Sequence, residues 1–207
     1  MTKVVLVQPY YENIWEPIGL GFIASYLKKH FVGELDLKCF QGNFDTDETI
    51  IEACIGADVV GFSCTSPAYP HAIRLAEEIK KVSPKTRKVF GGFPPSALPG
   101  ECAKHPAVDQ VVIGEGEEVF LQIVNGKTDA IVQGTKPPMQ DLVWPDRDVI
   151  QNIRTVDLCE SPLFNVIVYV RWPVLFARRE SLLVSFTNET TPSDLAMSMN
   201  CLMKLMK

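Results

Sequence analysis

The chain has 207 residues, of which 46% are hydrophobic and 22% are charged, and its formal net charge is −5. This composition is that of a globular protein with a sizeable core, and the length suits one ordinary domain with a remainder. The negative charge argues against a nucleic acid or an anionic membrane as partner. Because the apolar runs are too short for a signal peptide or a transmembrane helix, we expect a cytoplasmic protein.

Strands and helices alternate along the first 124 residues. The pattern predicts strands at 3–8, 34–40, 58–63, 87–90 and 109–113, and helices at 18–30, 47–54, 68–82, near 98–104 and at 117–124. Alternation of buried strands with helices favours a doubly wound parallel sheet. We expect a flavodoxin-like, five-stranded sheet in the order 2-1-3-4-5. Residues 131–133 are a candidate for a further short edge strand.

The loops that follow the first, third and fourth strands are rich in Pro, Gly and aromatic residues. They span 9–17, 64–70 and 91–99. Two glycine-containing turns, Gly91-Gly92 and Gly114-Glu115-Gly116, follow the fourth and fifth strands. Glycine lets a backbone turn sharply and come close to a ligand, and open parallel sheets bind ligands at the carboxyl ends of their strands. The sequence therefore predicts a binding edge.

Other chemistries that use this sheet order fit the sequence poorly. A phospho-receiver needs acidic residues after the first strand, whereas this chain has Gln8-Pro9 there. A flavin phosphate loop needs small hydroxyl residues and glycine in the same place. The GxGxxA match that begins at Gly19 lies about ten residues beyond the strand, so we interpret it as chance or close helix packing.

No group of side chains indicates autonomous catalysis or metal binding. Ser63, Cys64 and Ser66 precede His71, but we interpret that histidine as a solvated surface group at the start of a helix. The acidic residues at 115, 117 and 118 are explained equally well by helix capping and by acid–base chemistry. The six cysteines are scattered without a CxxC, and we expect them to be reduced and mostly buried; they are Cys39, Cys54, Cys64, Cys102, Cys159 and Cys201.

Four spaced motifs, taken together, resemble a known family. They are Pro17-Ile18-Gly19-Leu20, the strand 58–63 ahead of Tyr69-Pro70-His71-Ala72, Phe90-Gly91-Gly92 with 95–99, and Gly114-Glu115-Gly116-Glu117. In this order they resemble the N-terminal cobalamin-binding domain of B12-dependent radical SAM enzymes. Trp144-Pro145-Asp146-Arg147-Asp148 is similar to the connector that precedes the radical SAM barrel. We therefore predict a cobalamin-binding domain at 1–134 and a Pro-rich connector at 135–150.

The resemblance implies that a corrinoid binds over the carboxyl edge, with its nucleotide tail beside the sheet and its ring toward a partner barrel. It implies no histidine ligand to cobalt, because the chain has no DxHxxG after the first strand. Pro94 stands where the family often has a histidine. The expected cofactor-binding residues are Tyr10, Tyr11, Trp15, Pro17, Gly19, Ser63, Thr65, Ser66, Tyr69, Gly91, Gly92, Pro95, Ser96, Gly114, Glu115, Gly116 and Glu117.

The chain departs from this family after the connector. A radical SAM barrel begins with a strand and a CxxxCxxC loop that holds a 4Fe–4S cluster. Here 165–170 could be that strand and 192–207 the helix after the loop, yet residues 171–190 contain no cysteine. We therefore predict that 151–207 is an incomplete start of such a domain, without the cluster or S-adenosylmethionine.

Three interpretations remain open. The chain is a corrinoid-binding module of a methyltransferase-type enzyme, a stand-alone small-molecule-binding or sensory protein, or a non-functional remnant. The sequence does not decide whether it is a fragment or a frame-disrupted copy, nor whether it acts within an enzyme.

Overall fold

The computed structural model describes residues 1–12, 17–138, 141 and 143–150, together with 164–165 and 185–186. The chain divides into two compact units, Met1–Thr155 and Val156–Lys207. In the second unit the described residues form two short antiparallel strands, Phe164–Asn165 and Ser185–Phe186. The helix predicted at 192–207, and all but the first residue of the strand predicted at 165–170, lie outside the described residues.

The described part of the first unit is a parallel sheet in the order β2-β1-β3-β4-β5-β6, with helices between its strands. The predicted flavodoxin-like order is confirmed. The candidate edge strand at 131–133 is also confirmed, because it pairs in parallel with β5, so the sheet has six strands and not five. The elements are β1 (Thr2–Gln8), α1 (Ile18–His30), β2 (Leu35–Gln41), α2 (Asp47–Cys54), β3 (Val59–Cys64), α3 (Tyr69–Val82), β4 (Arg87–Gly92), α4 (Phe93–Ala97), α5 (Pro99–Ala103), β5 (Gln110–Ile113), α6 (Glu117–Val124) and β6 (Ile131–Gln133).

The sheet has two packed faces, because successive strand side chains point to opposite sides. Face A carries Val5, Val7, Val60, Phe62, Phe90 and Val111 and packs against α2, α3 and α5. Face B carries Val4, Leu6, Val59, Val89 and Val112 and packs against α1 and α6. Burial on both sides explains why the strands are nearly continuous apolar runs in the sequence.

The helix predicted near 98–104 is confirmed as α5, and a further short helix, α4, occupies the preceding stretch that was predicted as a loop. Each has proline in its first turn, where the missing N–H costs no helical hydrogen bond. Pro99 also disfavours a helical backbone at Leu98, which has φ −133° and ψ 56°. The chain therefore breaks between the two helices instead of continuing one.

The end of the predicted connector packs along α1. The Asp146 backbone N–H donates to the Gly21 carbonyl at 3.0 Å, and the Ser25 hydroxyl donates to the Trp144 carbonyl at 2.6 Å. A Cβ atom at Gly21 would lie 3.1 Å from the Cβ of Pro145. This supports the interpretation of the GxGxxA match as close packing. Val149 and Ile150 join the core of face B. No helix within the described ranges is long and apolar enough to cross a membrane.

Candidate functional site

On the two central strands, β3 and β4, the side chains that point to face A are much larger than the neighbouring side chains that point to face B. On face A, Phe62 pairs with Phe90, and their rings stack with centroids 4.8 Å apart. One residue further along both strands, on face B, Ser63 pairs with Gly91. The strand pairing therefore sets large beside large on face A and small beside small on face B. Face A is closed, and face B opens at the carboxyl edge.

A cleft of about 180 Å³ occupies this opening, between face B and helices α1 and α6. Its walls combine apolar side chains with the exposed backbone of glycines. Eight of the predicted site residues contribute to it: Gly19, Ser63, Gly91, Gly92, Gly114, Glu115, Gly116 and Glu117. The apolar part of the lining was not predicted from the sequence; it includes Leu6, Ile23, Val89, Val112 and Phe120, together with Gly61.

Gly61 allows the Phe120 ring to lie directly against the sheet beside the cleft. A Cβ at Gly61 would be 2.7 Å from Phe120 Cε2 and 3.2 Å from Leu6 Cδ2, closer than side chains pack. An isolated glycine within a buried strand indicates close approach of another group. That signal is present in the sequence run Val-Val-Gly-Phe-Ser and could have located this wall.

The turns after β4 and β5 are joined to each other at the edge of the cleft. Gly92 has φ 102°, a conformation that favours glycine, and a Cβ there would overlap the Cys64 backbone. The Gly114 backbone N–H donates to the Ser96 hydroxyl oxygen at 3.0 Å. Pro95, next to that serine, is buried. The fold thus brings together two turns that the sequence predicted as separate parts of the site.

Of the acidic residues at the start of α6, Glu118 accepts hydrogen bonds from neighbouring side chains and Glu117 is buried. Glu118 accepts from the Thr135 hydroxyl at 3.0 Å and from the Gln122 amide at 3.3 Å. Glu117 is only 5% exposed and lies in the cleft wall. Negative charge in the first turn of a helix interacts favourably with the helix dipole. This arrangement accords with the helix-end interpretation of the cluster.

The loop after β1 is held by residues from elsewhere in the fold. The Tyr10 backbone N–H donates to His71 Nδ1 at 2.8 Å, and Asn43 Nδ2 donates to the Tyr11 carbonyl at 2.6 Å. The interpretation of His71 as a solvated surface group is wrong: it is 7% exposed. Buried Pro17 directly precedes α1. Trp15 lies outside the described residues.

The predicted residues after β3 lie apart from the cleft. Thr65 and Ser66 are exposed on the loop, and Tyr69 packs on face A with its ring 5.9 Å from that of Phe90. Burial, with Cys102 nearby, raises the pKa of the Tyr69 phenol. The sequence alone could not show that Tyr69 lies away from the cleft, because the direction of its side chain depends on how α3 packs against the sheet.

The described cysteines are free and buried, as predicted, and they are Cys39, Cys54, Cys64 and Cys102. Burial raises the pKa of Cys39 and of Cys54 to about 12 and raises that of Cys64 as well. These thiols are therefore protonated at neutral pH and poorly nucleophilic. Within the described ranges, no three His, Cys, Asp or Glu residues are placed to hold a metal ion.

A second depression, of about 570 Å³, lies at the opposite, amino edge of the sheet. Polar groups there bond to one another: the Gly56 N–H donates to the Ser83 hydroxyl, and the Thr86 hydroxyl donates to the Ala57 carbonyl at 2.7 Å. These bonds connect the surrounding turns and satisfy the hydrogen-bonding capacity that those groups would otherwise offer to a ligand. The carboxyl edge, where doubly wound sheets bind their ligands, is the better candidate in spite of its smaller volume.

The fold and the glycine-lined cleft define the class of this domain, a flavodoxin-like α/β domain with a cleft at the carboxyl ends of its strands. The family follows from the sequence comparison. A family model described as "B12 binding domain" matches residues 4–124, so the chain belongs to the B12-binding domain family. The resemblance predicted from the four motifs is thereby confirmed.

Curated relatives are longer proteins. The chain is 25% identical over 182 residues to an anaerobic magnesium-protoporphyrin IX monomethyl ester cyclase of Rubrivivax gelatinosus, covering 72% of this chain and 33% of the relative. It is 30% identical over 158 residues to a cytidylyl-2-hydroxyethylphosphonate methyltransferase of Streptomyces wedmorensis, covering 64% of this chain and 28% of the relative. The chain thus spans about a third or less of these relatives.

A solved structure shares the fold. It is the radical S-adenosylmethionine methyltransferase TsrM from Kitasatospora setae, with a TM-score of 0.53 and 16% identity. The similarity covers 76% of this chain and 33% of that one. At this identity the comparison bears on the fold alone.

Proposed function

We propose that this chain binds cobalamin at the carboxyl edge of its sheet, as the corrinoid-binding module of a radical SAM enzyme of the methyltransferase type. The observation that carries the proposal is a glycine-lined cleft at the binding edge of a domain that belongs to the B12-binding family. The methyltransferase among its curated relatives favours that reaction class. We assign no catalytic residue to the chain itself.

The size of the cleft indicates which part of a corrinoid it would accept. Sites that enclose a whole small ligand have volumes of roughly 300–1,000 Å³. At about 180 Å³ the cleft suits the flat base of the nucleotide tail and is too small for the macrocycle. Gly61 and Gly91 keep side chains out of this space, and apolar Leu6, Val112 and Phe120 offer contact to an aromatic base. The apolar, glycine-lined walls therefore fit the tail.

The loops above the cleft would contact the macrocycle. Tyr10 is 50% exposed on the loop after β1, and Phe93, at the start of α4, is 74% exposed. The loop with Thr65 and Ser66 is exposed on the same edge. These residues supply apolar and hydroxyl contacts around a large ligand. When bound, the corrinoid supplies the cobalt that carries an alkyl group; the chain's own residues bind it, orient it and exclude water from its tail.

Titration of the chain with hydroxocobalamin, followed by visible absorption, tests this proposal. We expect saturable binding with a spectrum in which the nucleotide base has left the cobalt, because the base would occupy the cleft. The same type of spectrum is expected for His71→Ala, since we predict no histidine ligand to cobalt. Absence of binding by a chain whose circular dichroism shows it to be folded would overturn the proposal and favour a stand-alone module for another small molecule.

A further inference from the structure

A buried histidine connects three elements at the carboxyl edge. His71, in the first turn of α3, accepts the Tyr10 backbone N–H at Nδ1, and its Nε2 lies 2.8 Å from Asp47 Oδ1 at the start of α2. A backbone N–H can only donate, so Nδ1 must carry a lone pair. The ring proton therefore lies on Nε2 and is donated to the Asp47 carboxylate. Both ring nitrogens are engaged within the fold.

The next peptide unit of the same loop is held from the β2–α2 loop. Asn43 Nδ2 donates to the Tyr11 carbonyl, while Asn43 Oδ1 is buried and has no hydrogen-bond partner among the described residues. A Cβ at Gly42 would lie 2.6 Å from the Tyr10 nitrogen and 3.2 Å from His71 Cε1. The two loops therefore touch along their backbones. The Tyr10 ring meets the His71 ring edge-on, with centroids 6.3 Å apart.

We propose that His71 is a positioning residue for corrinoid binding, which, with Asn43, presents Tyr10 and Tyr11 to the macrocycle before the ligand arrives. This inference rests on the proposed function and assigns a role to a residue that touches no part of the cleft. Ordering a loop on binding costs conformational entropy, and a loop that is already ordered does not pay that cost again. The Tyr10–His71 bond fixes the loop at the point where its aromatic pair leaves the sheet.

The hydrogen bond requires a neutral imidazole. An imidazolium has N–H groups at both nitrogens, so protonation would set the Nδ1 proton against the Tyr10 N–H and release the loop. The groups that face the ring are the Asp47 carboxylate from α2 and the Tyr10 phenol from the loop. Asp45, on the adjacent loop, accepts from the Gln41 N–H, and Arg74 is exposed one turn further along α3. Protonation of the ring and the Tyr10–His71 hydrogen bond therefore exclude each other.

The test compares His71→Ala and His71→Asn, with His105→Ala as the matched control. Asparagine places a neutral acceptor near the position of Nδ1 and has no charge to gain. His105 has the same chemistry at the opposite edge of the sheet, with its Nδ1 accepting the Ala107 N–H and its Nε2 3.7 Å from Glu77. Methylcobalamin affinity is measured by spectral titration at about pH 7.5 and about pH 5.5. Hydrogen exchange of the Tyr10 and Tyr11 amides is measured without cobalamin.

We expect His71→Ala to bind methylcobalamin about three- to tenfold more weakly near pH 7.5, the effect of one hydrogen bond, and to exchange the Tyr10 amide faster. Acidification from about pH 7.5 to about pH 5.5 should weaken methylcobalamin binding by the unsubstituted chain by a similar factor. His71→Asn should keep most of the affinity and lose the pH dependence, while His105→Ala should follow the unsubstituted chain. Protonation of the ligand is common to all variants and cancels.

Two results would overturn the inference. The first is unchanged affinity and unchanged Tyr10 exchange in His71→Ala, alongside normal binding by the unsubstituted chain. The second is an equal pH dependence in His71→Asn and in the unsubstituted chain. Failure of the unsubstituted, folded chain to bind any cobalamin is a different outcome, which overturns the proposed function and with it the corrinoid role of His71.

Discussion

The two faces of the sheet show how one set of strands can build a closed core and an open site. Phe90 and Gly91 are neighbours in β4, yet Phe90 is fully buried in face A and Gly91 borders the cleft of face B. Face A is filled by the Phe62–Phe90 stack, with the Tyr69 ring at its edge. The difference teaches that the cleft exists because the central strands carry small residues, Ser63 and Gly91, on face B.

The largest expected effect comes from face A. Phe90→Ala should lower the free energy of unfolding by about 3–5 kcal/mol, because it removes a fully buried ring from a packed stack. Denaturant titration followed by circular dichroism measures this. Phe93→Ala is the control: that ring is 74% exposed, and its removal should change stability by less than about 0.5 kcal/mol. Equal losses in the two variants would contradict the assignment of face A as the core.

One residue further along β4, a substitution should affect binding and leave stability largely unchanged. A Cβ at Gly91 would meet its nearest atoms at 3.9 and 4.0 Å, which is ordinary contact, so the fold accepts a side chain there. Gly91→Leu should extend into the cleft and weaken hydroxocobalamin binding on the order of 100-fold by steric exclusion. Gly100→Leu, at an open position in α5, is the size-matched control. Normal binding by Gly91→Leu would place the ligand elsewhere.

A buried ion pair sharpens the comparison within face A. Lys88 is 1% exposed; its Nζ lies 2.7 Å from Asp109 Oδ2 and donates to the Thr86 carbonyl at 2.7 Å. Asp109→Ala leaves this ammonium with one neutral acceptor and should cost about 1–2 kcal/mol, at the low end for such pairs because Asp109 is 38% exposed. Lys88→Met removes the charge instead and should cost less in the same denaturant titration. The reverse order would show that the lysine stem matters more than its charge.

The smallest expected effect concerns the segment that packs on α1 beside face B. Burial acts to raise the pKa of Asp146, but Lys28 and the N–H groups of Asp148 and Val149 hold that pKa below its ordinary value of 3.8. The resulting stability is present above that value and is lost as pH falls through the lower, folded value. Asp146→Asn should cost about 0.5–1 kcal/mol near neutral pH, since Lys28 is half exposed. The difference from the unsubstituted chain should vanish under acid conditions; a constant difference would exclude the ion pair as its cause.

Much of the fold could be predicted because its signals are local. Apolar strands that alternate with helices specify a parallel doubly wound sheet, and glycines after β4 and β5 specify turns at one edge. Helix α4 was missed, because a run of prolines is compatible both with one helix preceded by a loop and with two short helices. The sixth strand is only three residues long, and its pairing with β5 is what makes it a strand.

The site divides in the same way. The sequence by itself determined the flavodoxin-like order, the edge at which the cleft lies, and the glycines and Ser63 that line this cleft, because glycine spacing and strand period are set by neighbouring residues. Only the tertiary structure decided that Tyr69 packs into face A, that Phe120 lies against Gly61, and that His71 is buried beneath Tyr10. Each of these depends on the packing of helices over the sheet, which joins residues far apart in the chain.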